Sequence, residues 1–428
     1  MTTLDELRSG RLGGTRELRL RGRLTEFPRD ILGLADTLEV LDLSDNALDN
    51  LPDDFGRLTR LRVLFCSGNR FTRLPPVLGE CPALTQVGFR ATGLRDIPAE
   101  ALPARLRWLT VTDNQIDRVP AALGERPALQ KLMLSGNRLR HLPDSMEGAS
   151  GLELLRLSAN RFDALPGWIS ELPRLAWLAY AGNPLDCRIE APEAVAADWA
   201  HLQPGVLLGE GASGHVYRAA WKPDQSPARD VALKLFKGAM TSDGLPDREI
   251  AACLAAGDHP NLIGGIARVT GHPANIQGLL MPLLPPEWRA LARPPSLQSC
   301  SRDIYDPSSC FSAETVHRIA GGIAAAGAHL HEHGLLHGDL YAHNTLWDGT
   351  EGRAVLSDFG AASFLPPAGT GFSITKTDVL AWGLLLGELL DRCSDELPTL
   401  RNLQHECMQA TPSARPAMAD VLDGLQRT

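Results

Sequence analysis

An asparagine returns at a near-constant interval through the first half of the chain, and this period constrains the fold more than any other feature. The steps between successive members are 23, 45, 23, 23 and 23 residues, and Thr92 stands where the step of 45 divides. The members are Asn46, Asn69, Asn114, Asn137, Asn160 and Asn183. A fixed period of this length indicates a solenoid of stacked units, because one unit alone cannot bury its apolar side chains.

The same apolar frame surrounds each of these positions. It reads LEVLDLSDNALDNLP from Leu38, LQKLMLSGNRLRHLP from Leu129 and LELLRLSANRFDALP from Leu152. The Leu-x-Leu pair alternates as a short strand does, with both leucines toward the core, and the asparagine can bond backbone groups where the chain turns. The following Leu-Pro predicts an extended turn on the outer side. This frame resembles the leucine-rich repeat, over about eight units from about Thr15 to about Asp186, and implies an α/β leucine-rich-repeat solenoid, or horseshoe.

The residues that flank the inner leucine of each strand are expected on the concave face of such a solenoid. Four of them are large and apolar, namely Phe65, Trp108, Met133 and Trp177. Ordinary scattered surface apolarity is one interpretation. A continuous exposed ribbon with aromatic side chains is more typical of a protein contact, so we predict a protein partner on this face.

Charge and cysteine usage narrow the class of protein. The net charge of −9 comes entirely from the second half of the chain, because the 25 basic and 25 acidic side chains of residues 1–190 balance. An acidic half without a basic stripe argues against nucleic acid as a partner. The eight cysteines show no metal-ligand spacing, which favours free thiols in a reducing compartment. No stretch predicts a signal peptide or a membrane span, so a cytoplasmic location is expected.

A glycine-rich segment, LGEGASGHVY, follows a change in composition near Glu190. Glycines in this pattern also fit a dinucleotide fold, but here the sequence continues as a strand rather than a helix. VALK then places Lys234 on the next strand, twenty residues after Gly214. Further motifs follow in order: DREIAACLAAG, HPNLI, LLMPLL, HGDLYAHN, DFG, DVLAWG and SARP. The series resembles the protein kinase family from about Gly205 to Thr428.

This resemblance implies a second, α+β bilobal protein-kinase-like domain that uses ATP and Mg²⁺. The implied catalytic residues are Asp339, Lys234 and Glu249. Nucleotide contacts are implied for Gly209, Gly211, Gly214, Val216, Lys234, Met281 and Leu283. Asn344 and Asp358 would bind the metal ion. We therefore expect domains at 1–190 (repeats), 191–204 (linker) and 205–428 (kinase-like, with lobes at about 205–281 and 285–428).

The second half departs from the family pattern in its catalytic loop. Gly338 replaces the arginine that normally clamps a phosphorylated activation loop, and Tyr341 replaces a lysine that neutralises the transferring phosphate. His343 could partly substitute for that lysine if protonated.

The segment between DFG and DVLAWG is short. Only 17 residues separate Gly360 from Asp378, and no APE motif is present to supply an acid for Arg415. We expect a loop over residues 361–377 that acts without phosphorylation, although it holds five hydroxyl residues. These are Ser363, Thr370, Ser373, Thr375 and Thr377.

Three functions fit this pattern. The favoured one is ATP-dependent phosphoryl transfer to a serine or threonine hydroxyl of a protein, with the repeats as an interaction module. HGDLxxxN also resembles the catalytic loop of small-molecule kinases, which is the second interpretation. The third is a pseudokinase that acts as a nucleotide-binding scaffold, although Lys234, Asp339 and Asp358 are all retained.

Overall fold

The computed structural model describes residues 4–186, 195–211, 213–223, 227–241, 243–366 and 371–426. The chain forms two compact units that divide between Trp168 and Ile169. This division is not the predicted one, because the last repeat groups with the second unit. The domain limits of 1–190, 191–204 and 205–428 remain a prediction, since they were drawn from motifs rather than from compactness.

The first unit contains a short helix, α1 (Leu4–Arg8), and a series of parallel three-residue strands. The strands are β1 (Glu17–Arg19), β2 (Val40–Asp42), β3 (Val63–Phe65), β4 (Gln86–Gly88), β5 (Trp108–Thr110), β6 (Lys131–Met133) and β7 (Leu154–Arg156). Their register sets Leu18, Leu41 and Leu64 side by side, and all three are buried. One leucine from each strand therefore forms a continuous apolar row, which confirms the repeat fold.

The repeated asparagines bond the backbone of two successive repeats. Asn69 Nδ2 donates to the carbonyl oxygens of Leu43 at 2.9 Å and Cys66 at 2.8 Å. Its Oδ1 accepts from the amide of Leu48 at 2.9 Å. Such a buried side chain satisfies backbone groups that no strand ladder reaches, which explains why this residue type recurs.

Short 3₁₀ helices alternate with the strands of the first unit, and each follows a proline in an extended conformation. They span Arg29–Leu34, Asp53–Arg57, Pro76–Glu80, Ala99–Ala101, Ala121–Leu123 and Asp144–Gly148. The fixed φ of proline suits the first position before such a turn. The extended conformation predicted at the Leu-Pro pairs is therefore confirmed, and its place on the outer side stays a prediction.

Two of the four large apolar residues predicted on the concave face are buried rather than exposed. Phe65 and Trp108 are half-buried and meet edge to face, with ring centroids 6.4 Å apart. Met133 is buried at 8% exposure and Trp177 at 1%. The prediction of an exposed ribbon is thus wrong for Met133 and Trp177, and it stays a prediction for the other two.

The second unit begins with the last repeat, residues 169–186. Its strand is β8 (Trp177–Ala179), preceded by the 3₁₀ helix Gly167–Glu171. At the second leucine position of this repeat stands Tyr180, which is fully buried. Asn183 Nδ2 donates to the carbonyl oxygen of Tyr180 at 2.7 Å, so the turn geometry of the repeat is retained.

A six-stranded sheet follows, in the order β10-β11-β12-β14-β13-β9. Its strands are β9 (Ala196–Asp198), β10 (Leu202–Glu210), β11 (Gly214–Trp221), β12 (Arg229–Phe236), β13 (Ala267–Thr270) and β14 (Gly278–Met281). Trp221, Leu233 and Leu280 are in its core. Strand β9 pairs in parallel with β13, so part of the stretch predicted as linker belongs to this sheet.

Helices and short strands form the rest of the second unit. The helices are α2 (Pro246–Ala255), α3 (Ala313–Glu332), α4 (Gly371–Leu390), α5 (Pro398–Cys407) and α6 (Met418–Leu425). The strands are β15 (Arg289–Ala290), β16 (Leu335–Leu336), β17 (Thr345–Trp347), β18 (Ala354–Leu356) and β19 (Ser363–Phe364). Single-turn 3₁₀ helices lie at Trp199–His201 and Pro412–Ala414.

Helix α4 begins earlier than the sequence predicts. Residues 371–377 are helical, so the expected loop over residues 361–377 is wrong for its second part. The apolar run at residues 379–390 lies in this helix and is mostly buried. No helix in the described ranges is long and apolar enough to cross a membrane.

Candidate active site

A buried ion pair lies between the sheet and helix α2. Lys234 extends from the central strand β12, and its Nζ contacts Glu249 Oε1 of α2. Both residues are nearly inaccessible, at 7% and 4% exposure. Asp358 Oδ1 lies 3.8 Å from the same Nζ, and its side chain is 47% exposed. One cation therefore joins a buried acid to an acid that faces solvent.

The electrostatics of the three groups follow from this arrangement. Burial alone would lower the pKa of Lys234, but the carboxylates of Asp358 and Glu249 raise it above its ordinary value. The Lys234 ammonium holds the pKa of Asp358 below its usual range. Burial raises the pKa of Glu249, whose Oε2 has no hydrogen-bond partner among the described residues. Asp358 is thus an anion, and Lys234 is its fixed counter-charge.

Asp358 adopts a backbone conformation that is unusual for its residue type. Its φ is +62°, in the left-handed region, and its Oδ1 accepts from the amide of Gly360 at 3.1 Å. The next residue, Phe359, is buried against the ring of His337, with centroids 5.5 Å apart. Such strain persists only where the surroundings enforce it, and it concentrates at functional sites.

The carboxylate of Asp378, on α4, fixes the loop that follows β16. Its Oδ2 accepts from the amide of His337 at 2.9 Å, and its Oδ1 from the amide of Gly338 at 3.0 Å. His331 Nε2 lies 3.0 Å from Oδ2. Burial would raise the pKa of Asp378, but these hydrogen bonds keep it below the ordinary value. The buried Asp378 carboxylate therefore fixes the backbone of the loop that carries Asp339.

Asp339 and Asn344 are brought together at the ends of this loop. Asn344 Nδ2 donates to Asp339 Oδ2 at 2.8 Å and to the Asp339 carbonyl at 2.9 Å. The amide nitrogen is thereby occupied, which leaves Asn344 Oδ1 as its acceptor atom. In the described part of the chain, no group of three or more His, Cys, Asp and Glu side chains is placed to hold a metal ion.

The predicted metal ligands fit Mg²⁺ bound together with a nucleotide. Asn344 supplies a neutral oxygen, and Asp358 an ionised carboxylate beside the Lys234 cation. Mg²⁺ typically takes one or two such protein oxygens and completes its shell with phosphates and water. The donor set therefore agrees with a nucleotide-bound ion and not with a closed protein cage.

The glycines predicted to contact phosphates have two different environments. A Cβ on Gly209 or Gly211 would meet no atom within 4 Å, so space is open beside both. A Cβ on Gly214 would lie 2.4 Å from the carbonyl oxygen of Leu235. Gly214 is thus required by the close approach of β11 to β12, which is a reason that the sequence analysis did not give.

Known families match both halves of the chain. The model of the protein kinase domain matches residues 202–381, and leucine-rich-repeat models match residues 37–58, 104–162 and 127–185. The chain carries leucine-rich repeats followed by a protein kinase domain. Both predicted resemblances are confirmed at this level.

Two curated relatives resemble parts of the chain. A probable LIM domain-containing serine/threonine-protein kinase of Dictyostelium discoideum is 27% identical over 268 residues, covering 52% of this chain and 38% of that protein. The epidermal growth factor receptor of Apis mellifera is 30% identical over 169 residues, covering 38% of this chain and 12% of the receptor. The chain therefore spans well under half the length of each relative.

The other predicted nucleotide contacts lie on strands of the kinase domain or, for Leu283, two residues after one. Val216 is half-buried on β11, opposite Lys234 of β12. Met281 is the last residue of β14 and is half-buried, and Leu283 follows it with similar exposure. Leu208, which was not predicted, lies directly before Gly209 and is 50% exposed. An exposed leucine beside open glycines offers an apolar surface at this edge of the sheet.

Tyr341 and His343 of the catalytic loop have well-defined surroundings in the kinase domain. His343 is held by Asp303, which accepts from its amide and lies against its Nδ1, both at 2.8 Å. Burial would lower the pKa of His343, but Asp303, with Asp339 and Asp358 near, raises it above the ordinary value. The ring of Tyr341 stacks on Trp177 of the last repeat, with centroids 4.1 Å apart.

Asp303 and Trp177 are residues of this site that the sequence analysis missed. Asp303 lies 40 positions before His343 and in no recognised motif, so the sequence offered no signal for it. For Trp177 a signal existed. Tyr180 interrupts the leucine frame of the same repeat with a phenol, which needs a polar partner when buried.

Proposed function

We propose that this chain is an ATP- and Mg²⁺-dependent protein kinase that phosphorylates serine or threonine hydroxyls. The observation that carries the proposal is the buried Lys234–Glu249 pair beside the exposed, ionised Asp358. A buried cation held by one acid and offered to a second group is costly to maintain for structure alone. It suits a site where phosphate charge must be neutralised.

Each predicted site residue then has a role. Lys234, oriented by Glu249, binds the α- and β-phosphates of ATP, and Gly209 and Gly211 leave room for the phosphates beside their backbone. Asn344 Oδ1 and Asp358 hold Mg²⁺. When bound, this ion neutralises phosphate charge and orients the group that is transferred. Val216, Met281 and Leu283 contact the nucleotide base.

Asp339 acts at the substrate end of the site. We assign it the proton of the substrate hydroxyl, which it accepts as the hydroxyl oxygen bonds to the γ-phosphorus of ATP and the bond from that phosphorus to the bridging oxygen breaks, so that ADP leaves. The hydrogen bond from Asn344 Nδ2 fixes the Asp339 carboxylate. The Asp378 contacts to the adjoining amides support the same placement.

The catalytic loop has Tyr341 where related loops have a lysine, and His343 supplies the positive charge that is missing there. Its raised pKa favours the imidazolium form, and Asp339 and Asp358 are among the charges that raise it. We therefore assign His343⁺ the electrostatic part of the role that a lysine has in related catalytic loops. The side chain keeps 21% exposure, so solvent screens part of this effect.

The repeats form the interaction module of this proposal. Phe65 and Trp108 are the two predicted partner contacts that stay accessible, and Lys131 Nζ lies 4.2 Å from the centroid of the Trp108 ring. Aromatic side chains with a cation beside them are typical of protein contact sites. We propose a protein partner there, and a protein substrate at the kinase domain.

A small-molecule kinase is the second candidate. The early start of α4 at Gly371 leaves few residues after Gly360 for a surface that docks a peptide. This observation favours a small hydroxyl substrate over a folded protein. Against it, Asp378 and Arg415 belong to motifs that resemble those of protein kinases.

One experiment separates the candidates. The purified chain is incubated with radiolabelled ATP and Mg²⁺, and label is scored in the chain itself, in generic protein and in a panel of small alcohols and amino sugars. Labelled serine or threonine supports the proposal, and labelled small molecules alone would replace it with the second candidate. No Mg²⁺-dependent turnover with any acceptor would indicate a pseudokinase.

A further inference from the structure

The indole of Trp177 is packed into the catalytic loop. It lies parallel to the Tyr341 ring, at an interplanar angle of 6°, and its Nε1 donates to the carbonyl oxygen of Leu340 at 3.0 Å. The Arg302 guanidinium lies 5.8 Å from the indole centroid. These contacts fix the backbone of Leu340 and the side chain of Tyr341, the two residues that follow Asp339.

Gly338 makes room for the last repeat beside this loop. Its φ is +69°, a conformation that other residues rarely adopt, and a Cβ there would lie 2.2 Å from the carbonyl oxygen of Leu178. The clash is with backbone, so no side-chain rotation relieves it. The absence of an arginine at this position thus has a steric cause: β8 occupies the space.

The same repeat holds the segment after the DFG motif. The amide of Tyr180 donates to Ser363 Oγ, and the Tyr180 hydroxyl donates to the Phe364 carbonyl, both at 3.1 Å. Ser363 and Phe364 form β19, which pairs with β16 immediately before the catalytic loop. One repeat therefore contacts both chain segments that border Asp339.

Arg415 is the second position where a missing family feature is replaced by the last repeat. It is buried at 2% exposure, and its Nη2 donates to the Pro173 carbonyl at 2.6 Å. Its other bonds reach the carbonyl oxygens of Gln409 and Lys376. The acid expected for this arginine is thus substituted by backbone oxygens, one of them from the repeat.

The repeat also contacts helix α2. Asp186 is fully buried, and its Oδ2 lies 3.7 Å from Arg248 Nη1 and 2.7 Å from the amide of Gly182. Arg248 directly precedes Glu249, the partner of Lys234. The final repeat therefore extends its contacts to the element that orients the nucleotide-binding lysine.

We propose that the last repeat, residues 169–186, is a built-in support of the catalytic loop, with Trp177 as a positioning residue for Asp339. It does for this domain what a long, phosphorylated activation segment does elsewhere. The inference rests on the proposed kinase function for its catalytic consequence, but its structural part stands independently. It also explains why Gly338 and the short segment occur together.

The test uses the full chain with Trp177→Ala and Trp177→Phe, and measures steady-state kinetics and amide hydrogen exchange. We expect Trp177→Ala to lower kcat at least about tenfold with the KM for ATP within about twofold, because misplacement affects the reacting group and not nucleotide binding. Exchange should rise at residues 338–344 and stay unchanged in β12. Trp177→Phe keeps a ring but loses the bond to Leu340, so its effect should be intermediate.

Val40→Ala changes the first residue of β2, which is the position equivalent to Trp177 in β8. This variant is the matched control and should leave both readouts unchanged. Unaltered kcat and exchange in Trp177→Ala would overturn the proposal, as would exchange that rises equally throughout the kinase domain. If Trp177→Ala does not fold, parental values for Trp177→Phe in both readouts would overturn it. If the parent chain shows no turnover, the proposed function fails, and the exchange at residues 338–344 still decides whether Trp177 supports the loop.

Discussion

The backbone amide of Tyr180 donates a hydrogen bond to the hydroxyl of Ser363, at 3.1 Å. Ser363 is fully buried, and its Oγ also contacts the Ala361 carbonyl at 3.3 Å. Thr375 and Thr377, two other candidate phosphorylation sites of the predicted loop, are buried on α4. Thr370 and the side chain of Ser373 lie outside the described residues.

We therefore predict that phosphorylation after the DFG motif does not control activity. Phosphatase-treated and untreated chain should turn over at equal rates, because the segment is already ordered by Tyr180 and β16. Changing Thr370 and Ser373 to alanine should have no further effect. A tenfold lower rate, which corresponds to about 1.4 kcal/mol of transition-state stabilisation, in the treated or substituted chain would contradict this view.

Asp339→Asn is predicted to abolish transfer while leaving nucleotide affinity within about twofold. Proton acceptance by a placed carboxylate is typically worth about 10²- to 10⁴-fold in rate, and the amide cannot provide it. Nucleotide titration followed by fluorescence, together with single-turnover labelling, separates the two effects. Asp358→Ala is the informative companion, since it should weaken Mg²⁺-dependent nucleotide binding as well.

Lys234→Met is predicted to lower the free energy of unfolding by about 3 kcal/mol, because it leaves the buried Glu249 without its counter-ion. Adding Glu249→Gln should recover part of this loss, since no charge then stays buried. Denaturation with urea, followed through the kinase domain, measures Lys234→Met, Glu249→Gln and the double variant. A loss in the double variant equal to the sum of the two single losses would show that the pair is not coupled.

The rate of transfer is predicted to fall through His343 as pH rises. The pKa of His343 is raised by Asp303, so its charge is present below that raised value and is lost as pH rises through it. The stability that this charge contributes follows the same direction. The kcat–pH profile measures the effect.

His343→Arg keeps a permanent charge at this position and is the control for the pH profile. In His343→Arg the fall in rate with rising pH should be absent or should occur at a higher pH, whereas His343→Asn should show a low rate at every pH. An unchanged fall in rate in His343→Arg would assign the titration to another group.

Phe65→Ala combined with Trp108→Ala is predicted to remove the protein partner of the repeats, with little change in thermal stability. Both side chains are only half-buried, so their truncation opens no sealed cavity in the leucine core. Capture of partners on the parent chain and the double variant, compared by mass spectrometry, tests this. Asn50→Ala, at an exposed position, is the control, and equal partner recovery by all three would exclude this face.

Local patterns predicted most of the fold and the candidate site. The asparagine period and the DFG, VALK and HGDLYAHN segments are each encoded within a few residues, so Lys234, Asp339 and Asp358 could be placed before any coordinates. Contacts between segments that are distant in the sequence could not be predicted in this way. The position of Trp177 in its repeat predicts which way its side chain faces, but not which residues cover it. Asp303 is 40 residues before His343 in the chain, so only the folded structure shows that the two are in contact.

Strand β9 has a consequence for how the kinase domain can be isolated. It pairs in parallel with β13 through Arg268, Val269 and Thr270, at the margin of the six-stranded sheet. A fragment that begins at residue 205 would lack β9 and leave the backbone groups of β13 open. Such an unpaired strand is a template on which another copy can add, so this fragment would be prone to aggregate for reasons unrelated to its active site.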